Sequence, residues 1–160
     1  MNYWILKSEP TAYSFEDLIK DGHTMWNGVR NYQARNNLKS MKVGDLCFIY
    51  HSVGPKEIVG SAVVIKEAYP DPTSPDLNWV AVDIKFDKQL KKPVTLQQLK
   101  IHPELPGLSL VKQSRLSVCP ISKSEWNIIY QLGAWENKFI KKHFMIFFDH
   151  MYLPSDLQTC

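Results

Sequence analysis

Residues 26–37 read WNGVRNYQARNN: four Asn, one Gln, two Arg, one Trp, one Tyr and no acid. Asn and Gln each carry a donor and an acceptor on one flat group, which matches the edge of a base. Arg can meet phosphate or guanine, and an indole or phenol ring offers a stacking plane. Each type answers one need of nucleotide recognition. Stacking a base is worth about 1–3 kcal/mol and extruding one from a duplex costs a few kcal/mol, so a single ring barely breaks even. The amides and cations must tip the balance. The same residues also suit turns and wet helix faces, and Trp26 also suits a core, so composition alone leaves both readings standing.

Other chemistries have little support. Cys47, Cys119 and Cys160 are odd in number, far apart and never in a C-x-x-C arrangement, and Cys47 and Cys119 read as small core residues. Of the five His, only His143 and His150 lie near each other, with no carboxylate spaced to complete a site, so no metal is expected. A P-loop, a G-x-S-x-G elbow and paired-carboxylate spacing are absent, and no cofactor is expected. Net charge is only +3, from 19 basic and 16 acidic residues, too little for long-range attraction to be the main tool of duplex binding. Its distribution says more: Arg30, Arg35, Lys39 and Lys42 fall in a stretch without acids, a local basic patch. No apolar run approaches the roughly 18 residues of a membrane span, and the N-terminus has no secretory pattern. The expected address is cytoplasmic, or nuclear in a eukaryote, with no membrane partner.

The elements that must position these residues are marked by caps and alternation. NYWILKSEP reads as a strand running into a turn at Pro10. Ser14 with Asp17, Thr95 with Gln98, and Ser122 with Glu125 are capping-box pairs that predict three helix starts, the first closed by Gly22 and the last by Gly133. Gly28 permits a turn after Trp26, and Ala34, Leu38 and Met41 recur at helical spacing, so the opening stretch is a loop feeding a short helix. DLCFIYHS, EIVGSAVVIKEAY and WVAVDIKF read as strands, and SRLSVCPI as a fifth that Pro120 ends. Gly60 marks a bulge or a close backbone approach, and YPDPTSPD is a rigid connector. The fold class expected is α+β: a small, mostly antiparallel curved sheet or barrel with helices outside it. One domain spans 1–135. The aromatic and basic segment 136–160 either docks on it or, if exposed, forms a partner or homodimer interface.

Taken together, YWILKSEP, YSFEDL, WNGVRNYQARNNLKSMKVGDLCFIYHS, IVGSAVVIKEAYPDPT, PVTLQQLK and LVKQSRLSVCPIS closely resemble the EVE domain family. The resemblance covers residues 2 to about 133 and implies a PUA-like fold, a strongly curved mixed sheet or barrel flanked by short helices, the class that includes YTH readers of methylated adenine. It also implies binding of DNA or RNA carrying a modified base, or of a free modified nucleotide, with a cytosine-type base taken into a pocket. Carried onto this chain, Ser8 and Glu9 would hydrogen-bond a base edge, with backbone near Pro10 contributing. Trp26 and Tyr50 would be flat walls, Val29 an apolar contact, Asn31 a bidentate amide and His51 a further polar contact. Arg30, Arg35, Lys39 and Arg115 would meet phosphates at the rim. Glu9 has a second reading, as partner of Arg30 or of a nearby backbone amide.

Magnitudes favour a polar modification over a bare methyl. One buried methyl yields about 0.8 kcal/mol, roughly a fourfold preference, whereas a site that hydrogen-bonds a polar substituent discriminates more strongly. The competing class is a hydrolase acting on modified nucleosides or RNA, like ASCH relatives of the fold, with Lys7, Ser8 and Glu9 as base, hydroxyl and acid. Alternation along a strand opposes it, because three consecutive residues cannot face one substrate unless the turn at Pro10 bends them. A binding module is the preferred reading.

Overall fold

The computed structural model describes residues 1–133; the expectations for the segment 136–160 lie outside the described residues. Along the chain come β1 (Tyr3–Ser8), α1 (Phe15–Asp21), β2 (His23–Trp26), α2 (Tyr32–Ser40), β3 (Leu46–His51), β4 (Glu57–Pro70) and β5 (Val80–Thr95). There follow α3 (Leu96–Ile101), α4 (Ser109–Lys112), β6 (Val118–Ile121) and α5 (Lys123–Tyr130). All six strands form one sheet in the order β2-β5-β4-β3-β1-β6. It is mixed: β1 runs parallel to β3 with Tyr3 opposite Leu46 and Ser8 opposite His51, and every other pair is antiparallel. The sheet is curled but not closed.

All three expected capping boxes are present, at Ser14, Thr95 and Ser122. Gly22 closes α1 in the left-handed region at φ 81°, a conformation that a side chain would strain. The α-helical part of α5 ends at Tyr130, and a π-helical turn carries on through Gly133, the last described residue. There the missing side chain lets the backbone lie against Leu90, whose Cδ1 would be 2.6 Å from an added Cβ. Three elements went unforeseen: the short strand β2, the helical turn α4, and the second half of β5, whose lysine-rich residues lack an apolar run. Pro120 is inside β6 rather than beyond its end, tolerated because β6 is an edge strand with one ladder unpaired among the described residues.

The curl has a local cause. Pairing of β4 with β5 shifts register at four points and pairing of β3 with β4 at one more, and each bulge bends its strand and adds twist. At the first of these, Gly60 meets α1 so closely that an added Cβ would be 2.1 Å from Phe15 Cζ. Inside the curl one apolar cluster joins every strand to the helices, with Trp126 stacked on Phe48 at 3.7 Å. Burial of each such side chain is worth about 1.5–3 kcal/mol. Asp45, a buried carboxylate, accepts hydrogen bonds from Asn2 N–H, Trp4 Nε1–H and Lys42 N–H, fastening the start of β1 to the turn before β3.

Candidate functional site

Three strands separate β2 from β1 in the sheet, which in a flat sheet would hold them about 19 Å apart. Yet Thr24, Met25 and Trp26 of β2 and Lys7 and Ser8 of β1 line one cavity of about 640 Å³. The curl brings the two together, and the loops after them complete the walls: Glu9, Ala12 and Tyr13 on one side, 27–31 on the other, with Ser117 between. The volume falls within the range of about 300–1,000 Å³ usual for small-molecule sites. Trp26 is 8% exposed and meets Tyr13 edge to face, ring centres 6.5 Å apart, so its indole is both wall and core. Among the described lining residues two cations, Lys7 and Arg30, face one acid, Glu9.

The 27–31 loop is held by a residue that the sequence reading passed over as part of a connector. Asp71, buried at 1% exposure, accepts from Gly28 N–H at 2.8 Å, from Arg30 Nη1 at 3.0 Å and from Thr73 N–H at 2.7 Å. Burial alone would raise its pKa. Hydrogen bonds from Thr73, Gly28 and Arg30 outweigh that and hold the carboxyl well below the usual carboxylate range. Arg30 also donates to Thr73 Oγ1 and lies over Trp79, 5.7 Å from the ring centre. Beside it Tyr32, 66% exposed, packs against Trp79 at 5.1 Å, with the Arg35 guanidinium 5.0 Å above the Tyr32 ring. A cation-and-ring platform thus adjoins the cavity mouth.

Of the expected base-contacting residues, Ser8, Glu9, Trp26, Val29 and Asn31 line this cavity together with Arg30. Pro10 sits in the turn behind it and is not a lining residue. Asn31 caps α2: its Oδ1 accepts from Ala34 N–H at 2.9 Å, which leaves only its amino group for a ligand. Asn27, exposed and without a side-chain hydrogen bond among the described residues, has a whole amide to offer. Tyr50 lies elsewhere, in the wall of a second, smaller cavity. His51 is turned to α1, its Nε2 accepting from Phe15 N–H at 3.1 Å. Burial lowers the His51 pKa, against opposing pulls from Glu57 and Glu16. Arg35 belongs to the platform, Lys39 is exposed in the last turn of α2, and Arg115 is exposed two residues before Ser117. The paired reading of Glu9 with Arg30 gives way to Arg30 with Asp71, and the Glu9 carboxylate makes no hydrogen bond or ion pair among the described residues.

Lys7, Ser8 and Glu9 do all reach one cavity, since β1 ends at Ser8 and the chain turns there. They do not make a nucleophile and base. Ser8 Oγ donates to the Tyr13 carbonyl and Lys7 Nζ donates to the Ser114 carbonyl at 2.8 Å, so no base is placed to take the hydroxyl proton. What the walls present is a ring face, an apolar contact, an unpaired carboxylate and amides, a set suited to reading one flat, polar molecule. Among the described residues no group of His, Cys, Asp and Glu is gathered as metal ligands, and no helix is long and apolar enough to cross a membrane.

Comparison with known proteins agrees with this architecture. The EVE domain model matches residues 2–132. Mouse thymocyte nuclear protein 1 is 35% identical over 84% of this chain and 75% of its own length. The NMR structure of a Rhodopseudomonas palustris protein superposes with TM-score 0.79 at 46% identity, covering 83% of this chain and 93% of that one. Human THYN1, crystallised in complex with DNA containing 5-methylcytosine, superposes with TM-score 0.77 at 32% identity, covering 82% and 97%. Match length, identity and a shared curled sheet lead to one conclusion: the chain belongs to the EVE domain family.

Proposed function

We propose that this protein binds DNA carrying a modified cytosine and takes that single base, flipped from the stack, into the cavity between β1 and β2. The observation that carries the reading is the unpaired Glu9 carboxylate beside the Trp26 wall, in a cavity of about 640 Å³. A carboxylate accepts from the cytosine N4 amino group, while the amides of Asn27 and Asn31 donate to its O2 and N3. Trp26 supplies the stacking face and Val29 the apolar contact. Arg30, Arg35 and Tyr32 receive the strand outside, where stacking and phosphate contacts offset the few kcal/mol of extrusion. The human relative captured with 5-methylcytosine DNA supports the same choice of ligand.

The test is competition among one oligonucleotide sequence bearing cytosine, 5-methylcytosine or 5-hydroxymethylcytosine at one position, read by fluorescence anisotropy. The expected order of affinity rises from plain to methyl to hydroxymethyl, with the methyl worth about fourfold. Glu9→Gln and Asn27→Ala, both at exposed positions, flatten the order without unfolding the domain. Trp26→Ala is a poorer probe because it also removes core, at about 3–5 kcal/mol. Equal binding of all three oligonucleotides by the wild type would end the proposal.

A further inference from the structure

The second cavity, about 220 Å³, lies beyond Lys7, which lines both. Three elements each send a lysine to it: Lys7 from β1, Lys56 from the turn before β4 and Lys100 from α3, with Ser52, Ser114 and Tyr50 among the remaining walls and no carboxylate among the described residues that line it. Tyr50 stands opposite Lys7 in the parallel β1–β3 register, so the two share a sheet face. Its side chain is 4% exposed, yet its hydroxyl makes no hydrogen bond among the described residues, and a buried polar group without a partner calls for an explanation. Lys7 spends one N–H on the Ser114 carbonyl and keeps two. Burial lowers its pKa, with Cys119 pulling the other way and Lys56 adding repulsion, and Lys7 makes no ion pair among the described residues.

Three cations and an idle hydroxyl around so small a space are complementary to a compact, multiply charged oxyanion. A single carboxylate has too few acceptors for them, and the space is below the roughly 300 Å³ at which sites for drug-sized molecules begin. We propose that this cavity is a phosphate site, holding one phosphoryl group on the ammonium groups of Lys7, Lys56 and Lys100 and the hydroxyl of Tyr50. The phosphoryl group comes either from a nucleic-acid strand crossing the face or from a free or terminal phosphate; the contacts are the same. The site stands whether or not the neighbouring cavity takes a base.

Inorganic phosphate, titrated against chloride at matched ionic strength and followed by NMR of the lysine and tyrosine side chains, gives saturable shifts at Lys7 and Tyr50. In the Lys56→Gln/Lys100→Gln double variant, whose two positions are exposed and whose fold is checked by circular dichroism, phosphate affinity falls by about tenfold or more. Tyr50→Phe keeps the ring and weakens phosphate by several-fold. Matched oligonucleotides with a 5′-phosphate or a 5′-hydroxyl separate the sources. A gain confined to the 5′-phosphate assigns a terminal group, and a shallower salt dependence of the 5′-hydroxyl strand in the double variant assigns the backbone. Phosphate shifts no different from chloride, or undiminished in a folded double variant, would overturn the site.

Discussion

At the scale of single residues, the side chains that shape the cavity divide into those that line it and those that hold the lining in place. Asp71 is of the second kind. It fixes Gly28 and Arg30 through charge-assisted hydrogen bonds while its own side chain is wholly buried and that of Arg30 is 39% exposed. Asp71→Asn keeps the shape but loses the charge, and should lower unfolding stability by about 1.5–3 kcal/mol, the worth of hydrogen bonds to a charged group, while loosening base discrimination. Denaturant melts and the three-oligonucleotide competition measure the two effects, and a variant as stable as wild type would remove Asp71 from this role. Sequence reading picked out much of the cavity lining because residue type announces it: indole, amide, carboxylate. It passed over Asp71, Tyr32 and Trp79, whose roles depend on which loops meet. It read Asn31 as a bidentate amide, whereas the oxygen of that amide caps α2 by accepting from Ala34 N–H, a contact invisible until the helix start is known to the residue.

Elements were legible wherever the signal is local. Capping boxes need only four residues, and all three hold. A continuous apolar run marks β3 and an alternating one the first half of β5, and of the bulge or close approach expected at Gly60 the strand shows both. The contact with Phe15 sets the seat of α1: Gly60→Ala must push that ring aside and should cost about 1–3 kcal/mol as overpacking, seen as a lower denaturant midpoint with unchanged slope. His51 holds the same end of the helix and must be neutral at Nε2 to accept from Phe15 N–H. Its pKa is lowered in the folded state, so the unfolded chain binds the proton more readily. Stability should be intact above the ordinary His value of 6.5 and fall as pH drops from there through the lowered one. A stability profile between pH 8 and 5 tests this, with His51→Gln expected to flatten the acid-side loss; an unchanged profile in the variant would assign the loss to other groups. β2 escaped notice because four residues reading His-Thr-Met-Trp carry too little alternation, and its strand character comes from β5.

For the whole molecule, the decisive feature is non-local: curl across five strands sets Trp26 opposite Ser8 and Glu9. No window of sequence contains that meeting, and only resemblance to a family of known curvature anticipates it. The same view limits what charge can do. Net charge is +3, and Arg30, the cation at the cavity mouth, is already paired with Asp71. If shape recognition of one base is the anchor, few phosphates are neutralised on binding, and log affinity should fall with log salt at a slope of only about −2 to −3 on single strands, near −0.7 per phosphate contacted. Anisotropy titrations from low to high potassium chloride give this slope directly. Arg35→Gln should reduce it by less than one contact's worth while leaving the order of modified bases intact, because Arg35 stacks on Tyr32 outside the cavity. A slope twice as steep, with plain and modified cytosine bound alike, would mean that the backbone carries the complex and that the cavity is not its anchor.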